Sequence, residues 1–252
     1  MTAKDWHPTA AYLYVLRLDN SALAWEYVRR NPDYRRDWIA HARQPAAARR
    51  WHLRWFENPS LDARTAHPCW LEDENFTHLT GSSDGESFEL WKYPGRKHVL
   101  HDGCRLLLTI QHGHESLRMA LDERVQVGRP VSYLIRAGAR ARRDWAAVEA
   151  QQRALRTPPT SAAPRPAPHK ALHMSDLQAL DGLLAGASQR EIAEQLFGEL
   201  TGDQWAADGD LRARVRHSLN RARRLMQGGY RRLLTQTERP AQGLFSDSKR
   251  SP

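Results

Sequence analysis

Cysteine is scarce: the 252-residue chain has two, Cys69 and Cys104. That excludes a small secreted scaffold stapled by disulfides and makes a reducing cytoplasm the expectation. Long apolar runs are missing as well. No window approaches the roughly 18 consecutive apolar residues of a membrane-spanning helix, so no membrane partner is expected. The opening MTAKDWHPTAAYLYVL lacks a basic stretch followed by a clean apolar run, so no signal peptide is expected either. There is no GxxxxGK[ST] phosphate loop, no glycine-rich dinucleotide fingerprint behind a strand and no GxSxG elbow. The enzyme classes built on those motifs drop out, and neither a catalytic residue nor a cofactor is expected.

What the chain does have is positive charge, +9 in net terms. Its distribution is informative: residues 61–138 are net acidic, while the segments on either side are net basic. A basic chain favours polyanionic partners. Hydrophobic residues make up 40%, enough for a core, and nine tryptophans are available as anchors of cores or interfaces.

Periodicity divides the chain. Residues 1–60 read as a helical N-terminal module. Ser21 is placed to cap SALAWEYVRR, Asn31 to cap a second helix with Pro32 in its first turn, and PAAARRWHLRWF reads as a third. Arginines alternate here with aromatics: Trp25, Tyr27, Arg29, Arg30, Tyr34, Arg35, Arg36 and Trp38. Such a pattern serves either base stacking with phosphate contact, or an aromatic core under a solvated arginine face. The second is the expected case, because aromatics at helical spacing are usually core.

Residues 66–156 read as an antiparallel β-meander followed by a helix. SFELWKY (87–93) reads as a strand, and RKHVLHDGCRLLLTIQ as two strands around a turn at Asp102–Gly103. ESLRMALDE should point Leu117, Met119 and Leu121 inward and Ser116, Arg118 and Ala120 outward, and PVSYLIR repeats the alternation with Val131, Tyr133 and Ile135. RARRDWAAVEAQQRALR (140–156) is the trailing helix. Five prolines between Pro158 and Pro168 make residues 157–169 a semi-rigid linker. Residues 170–236 then form a helical domain with a polar tail at 237–252, and the whole is α+β in class.

The C-terminal part carries the strongest chemistry. SDLQALDGLLA (175–185) is amphipathic, with Ser175 as its cap and Gly186 placed to end it. Ser188 and Glu191 form a capping box for a second helix, from which Ile192, Ala193 and Leu196 face inward. Two short helices around a glycine turn open a helix-turn-helix. A third helix should run from Leu211 to about Gln227, capped by Asp210, with the apolar stripe Leu211, Val215, Leu219, Ala222 and Met226. Between Leu211 and Arg232 there are eight arginines (212, 214, 216, 221, 223, 224, 231 and 232) and no acidic residue. Like charges so dense repel one another, and a polyanion relieves them. The planar guanidinium fork suits phosphate oxygens and guanine edges, and Asn220 suits adenine. Double-stranded DNA is therefore the expected partner. The acidic stretch ELTGDQWAADGD, with Glu199, Asp203, Asp208 and Asp210, stands where a tight turn would normally be. It reads either as a wing or lid beside the basic helix that shields the arginines when DNA is absent, or as a lengthened turn, with Trp205 pinning it to the domain core.

His98, His101, Cys104, His112 and His114 cluster around one expected hairpin. Their spacing matches no metal motif, and alternation along strands would divide them between two faces, so no metal ligands are expected.

Two stretches carry a resemblance. AWEYVRRNPDYRRDW (24–38) resembles the opening of proteobacterial transcriptional regulators. LDGLLAGASQREIAEQLFG (180–198) with RHSLNRARRLMQGGYRRLL (216–234) resembles their C-terminal domain of unknown function. That domain is found in regulators carried on integrative and conjugative elements and in RovC-like activators of type VI secretion genes. The resemblance implies a DNA-binding regulator, an activator working as a homo-oligomer and contacting RNA polymerase or another regulator. It implies a C-terminal helix-turn-helix, with Gln189 and Arg190 on the second helix and Arg212 to Arg224, including His217 and Asn220, on the third. Arg231 and Arg232 extend that basic surface. It implies no cofactor. Some relatives with this C-terminal domain bind another regulator instead, so the alternative is a protein-interaction module acting as an anti-activator.

Overall fold

The computed structural model describes residues 6–71, 76–112, 115–139, 141–156, 166–198, 205 and 209–235. The tail and most of the expected linker and acidic loop lie outside these residues. The class is α+β, as expected, with one five-stranded sheet beside a helical body.

The N-terminal segment winds a 3-10 helix over Thr9–Arg17, then α1 (Asn20–Val28), α2 (Pro32–His41) and the short α3 (Pro45–Ala48). Asn31 caps α2 and Pro32 takes its first position, as the sequence suggests. The α1 cap is Asp19 rather than Ser21. Its carboxylate accepts from Ala22 N at 2.8 Å, and Ser21 falls inside the first turn of the helix, buried. The expected third helix is cut short: a 3-10 turn over Arg49–Trp51 follows α3 and ends at His52, whose φ of 59° is left-handed.

Trp25, Tyr27 and Tyr34 are fully buried, so the aromatics are core. The arginines among them are not all solvated. Arg29 and Arg30 are buried, because each finds a buried acid. Arg30 donates to Glu26 Oε2 at 2.5 Å and forks onto Asp181 at 2.7 and 2.9 Å, and Arg29 donates to Glu26 at 2.7 Å. Burial alone would raise the Glu26 carboxyl, but the guanidiniums of Arg30 and Arg29 hold it down at about 2.

Asp181 belongs to α5 (Pro168–Leu184), more than a hundred residues further along. This helix starts at Pro168, well before the expected cap Ser175, because Pro168 occupies its first position and Lys170 reaches back to the Leu18 carbonyl. Helices α6 (Gln189–Phe197), α7 (Gly209–Arg224) and α8 (Arg231–Thr235) complete the body. Its main core joins both ends of the chain: Tyr12, Trp25 and Tyr27 pack with Leu177, Leu180, Ala222, Met226 and Tyr230. Polar bonds cross the same seam. Asn31 Nδ2 donates to the Met226 carbonyl at 3.0 Å, and the Tyr230 hydroxyl donates to the Trp51 carbonyl at 3.1 Å.

The sheet contains β1 (Thr77–Gly81), β2 (Arg96–His101), β3 (Leu106–His112), β4 (Glu115–Leu121) and β5 (Val131–Tyr133), in the spatial order β2-β3-β4-β1-β5. The β2-β3 turn at Asp102–Gly103 forms where expected, with Asp102 accepting from the Cys104 and Arg105 amides. The sheet is mixed rather than a meander: β1 inserts between β4 and β5 and runs parallel to β4. SFELWKY does not form a strand. Ser87 makes one isolated bridge, Leu90–Lys92 is a 3-10 turn, and Phe88 instead plugs the sheet core. Leu117, Met119 and Leu121 face that core. Ala120, expected outward, is buried in a small cluster with Cys69 and Leu107, because the other face is covered too. Helix α4 (Ala141–Arg156) docks on the sheet, where Gln151 Oε1 accepts from Thr77 and Gln151 and Gln152 donate to Tyr133. Arg118 on β4 binds Asp19 at 2.7 Å and ties sheet to helical body.

Two histidines make the fold acid-sensitive. Burial, with His98 and Arg96 nearby, pushes His67 down to about 4, and burial with Lys170, His169 and Arg221 does the same for His173. In the unfolded chain these rings titrate near 6.5. Below that pH the unfolded state takes up protons that the folded state refuses. Stability is therefore undiminished above pH 6.5 and should fall steadily towards pH 4. Thermal melts at pH 7, 5.5 and 4.5 should show a descending midpoint, and a flat profile would mean that both rings are protonated in the fold.

Candidate nucleic-acid interface

The interface is built from local signals that the structure uses. At the end of α5, Gly186 takes a φ of 87°, with its amide bonded to the Leu183 carbonyl and the next amide, of Ala187, to Gly182. This is the Schellman pattern, and glycine suits its left-handed residue. Ser188 then starts α6 with the capping box in place: its hydroxyl accepts from Glu191 N, and Glu191 accepts from Ser188 N at 2.7 Å. Removing this cap with Ser188→Ala should cost about 1 kcal/mol of stability, read from chemical denaturation.

Ile192 and Ala193 of α6 pack with Trp6, Ala179, Leu211, Val215 and Leu219, and Leu196 and Trp205 lie partly buried against them. Trp205 thus touches the core as expected, while Glu199, Asp203 and Asp208 of the acidic stretch lie outside the described residues. Asp210 does not cap α7. The helix begins at Gly209 and Asp210 sits in its first turn. The helix also stops at Arg224 instead of Gln227, passing into a wide turn over Leu225–Gly229, where Gly228 takes a φ of 125°.

The stripe is as read from the sequence: Leu211, Val215, Leu219, Ala222 and Met226 are all buried. With that face fixed inward, the polar residues turn outward. Gln189, Arg190, Arg212, Arg214, Arg216, His217, Asn220, Arg221, Arg223, Arg224, Arg231 and Arg232 are each solvent-exposed. Gln189 at the start of α6 meets Arg212 and Arg216 across a shallow cleft of about 190 Å³. Arg214 lies over the Phe197 ring at 4.4 Å, and Arg190 pairs with Glu194 at 2.8 Å. Arg231 donates to the Arg50 carbonyl at 3.2 Å, which brings the basic surface up to the N-terminal segment.

Arg221 differs. Its guanidinium grips Asp176 of α5 with both nitrogens, and Ser218 donates to the same carboxylate at 2.5 Å. Asp176 is fully buried. Burial pushes its carboxyl up, and the bonds from Arg221 and Ser218 oppose that. Sequence reading passed over Asp176, Ser218 and the Arg30–Asp181 pair. Their signal was available: an acid among the leucines of SDLQALDGLL has to find a partner if the helix is buried.

The described members of the histidine cluster do not form a ligand set. His98 stacks on His67 with centroids 3.3 Å apart, the His101 ring accepts from Gly103 N, and Cys104 is exposed. His114 and the His112 side chain lie outside the described residues. Among the described residues no three His, Cys, Asp or Glu side chains are placed to share a metal. Within the same residues, no helix is long and apolar enough to cross a membrane.

Residues 119–235 match the model of a RovC-type DNA-binding domain, that of a type VI secretion transcription factor. The domain content is that of a DNA-binding transcription regulator. Residues 5–55 match a proteobacterial transcriptional regulator-like domain, and residues 81–116 a domain of unknown function. No curated protein and no solved structure matches the regulator. The DNA-binding model begins within β4 and so takes in β5 and α4 as well as the arginine-bearing helices.

Proposed function

We propose that the regulator reads double-stranded DNA with α7 in the major groove, in the manner of a helix-turn-helix whose support helix is α6. The reading rests on one observation above others: an unbroken apolar stripe is buried while a face of arginines free of acidic residues is turned to solvent. Arg212, Arg214, Arg216, His217 and Asn220 are assigned to the groove, with Gln189 and Arg190 at its edge. Arg223, Arg224, Arg231 and Arg232 are assigned to flanking phosphates. Arg221 is assigned a positioning role, because its fork is already occupied by Asp176. The family resemblance favours an activator acting as a homo-oligomer on mobile-element or secretion genes in the cytoplasm. Anisotropy titration of labelled promoter and random duplexes tests the assignment. Arg212→Ala with Arg216→Ala should remove promoter preference and weaken binding to both, whereas wild-type binding by this variant would move the interface elsewhere.

A further inference from the structure

A second site lies at the seam between the helical body and the sheet. The segment after α3 crosses there through a bridge between Leu53 and Trp70. Next to it is a cavity of about 30 Å³ whose lining includes Arg54, Trp70, His78 and Arg105, over Leu107 and Ala120 of the sheet. One water needs about 10–15 Å³, so the space admits a group of a few heavy atoms and no nucleotide or sugar.

The lining is rich in donors and poor in acceptors. Trp70 is 3% exposed and its indole Nε1–H is buried with no hydrogen-bond partner. A buried donor left unmade is costly, so such groups generally have a partner. Arg54 and Arg105 converge on a single carboxylate, Asp102 Oδ2, at 3.4 and 3.2 Å. The other oxygen of Asp102 is already used by the Cys104 and Arg105 amides. The Nδ1 lone pair of His78 faces Arg105 Nη1 at 3.3 Å, and burial with Arg105 beside it keeps the imidazole below its usual range. Two guanidiniums therefore share one carboxylate, and one positive charge among the described lining residues stays uncompensated. A water could accept from Trp70, whereas an anion would answer both the donor and the charge of Arg54 and Arg105, which keep about a quarter of their side chains open to solvent.

We propose that this cavity binds a small anion, a carboxylate or an inorganic oxyanion, held by Trp70 Nε1–H and the guanidiniums of Arg54 and Arg105. The site is not isolated from the rest of the molecule. Trp70 packs against Tyr230 at 5.8 Å, and the Tyr230 hydroxyl bonds the Trp51 carbonyl. An occupant would thus brace the sheet against the helical body just beyond the end of α7.

Indole ¹⁵N–¹H spectra of the full chain test the site, with acetate and phosphate titrated separately at constant ionic strength. The Trp70 resonance, identified by its loss in Trp70→Phe, should shift and saturate. Arg105→Gln should weaken that response at least tenfold. Saturation at lower acetate concentration would make the ligand a carboxylate, and at lower phosphate concentration an inorganic oxyanion. No saturable shift with either anion, or an unchanged response in Arg105→Gln, overturns the proposal. If Trp70→Phe does not fold, bromide soaked into wild-type crystals gives a second reading. An anomalous peak beside Trp70 Nε1 supports the site, and none there refutes it.

Discussion

Arg30→Ala is expected to lower stability by about 3–5 kcal/mol, the usual cost of removing one partner from a buried ion pair. The side chain is 2% exposed and bridges two carboxylates, Glu26 on α1 and Asp181 on α5. Without it, Glu26 keeps Arg29, the Ala63 amide and the nearby Tyr14 hydroxyl in a fully buried position, and Asp181 keeps the Tyr12 hydroxyl. The loss is a large share of the roughly 5–15 kcal/mol that holds a typical protein folded. At about 2–4 °C per kcal/mol for a chain of this size, the melting midpoint should drop by roughly 6–20 °C. Arg30→Lys keeps the charge but not the fork that reaches both acids, and should fall between wild type and alanine. Urea denaturation followed by circular dichroism gives the ranking. A loss below about 1 kcal/mol for the alanine variant would mean the pair behaves as a surface salt bridge and does not hold the ends of the chain together.

DNA affinity is expected to fall about a hundredfold when salt is raised from about 50 to about 200 mM, given the four phosphate contacts assigned to Arg223, Arg224, Arg231 and Arg232. Removing one arginine–phosphate pair should flatten the plot of log affinity against log salt by about 0.9. Arg223→Ala with Arg224→Ala should therefore reduce the slope by nearly two units and weaken promoter and random duplexes alike, since phosphate contacts carry no sequence information. Asn220→Ala should leave the slope unchanged and lower only the preference for the promoter. Arg221→Ala should do neither at first order. It leaves the charge on Asp176 without its cation in a fully buried position, so its main effect is on stability. Anisotropy titrations at four salt concentrations separate these outcomes. A slope near zero would exclude phosphate-dominated binding and favour the reading of the chain as a partner-binding module.

Much of the interface was legible because its signals are local. The Ser188–Glu191 box, the Gly186 terminator and the stripe from Leu211 to Met226 depend on spacing within one or two turns, and each forms in the structure. Caps were less secure where two candidates stood close together. Asp19 displaced Ser21 because a carboxylate two residues earlier can both cap α1 and pair with Arg118 across the chain. The extent of α5 and the stop of α7 were set by neighbours rather than by propensity. Strand β1 was missed altogether. THLTG carries too short an alternation to announce a strand, and its pairing with β4 spans about forty residues.

The sequence by itself determined the class, the buried stripe of the third C-terminal helix and its unopposed arginines, because periodicity and charge are properties of neighbouring residues. Only the tertiary structure decided which arginines face solvent and which serve as structural cations. Arg29 and Arg30 look in the sequence like Arg35 and Arg36, and Arg221 looks like Arg216. The difference is made by Glu26, Asp176 and Asp181, and two of those acids lie far along the chain from the arginines they hold. A charge stays buried only where folding brings its partner within hydrogen-bonding reach, and no local pattern records that distance.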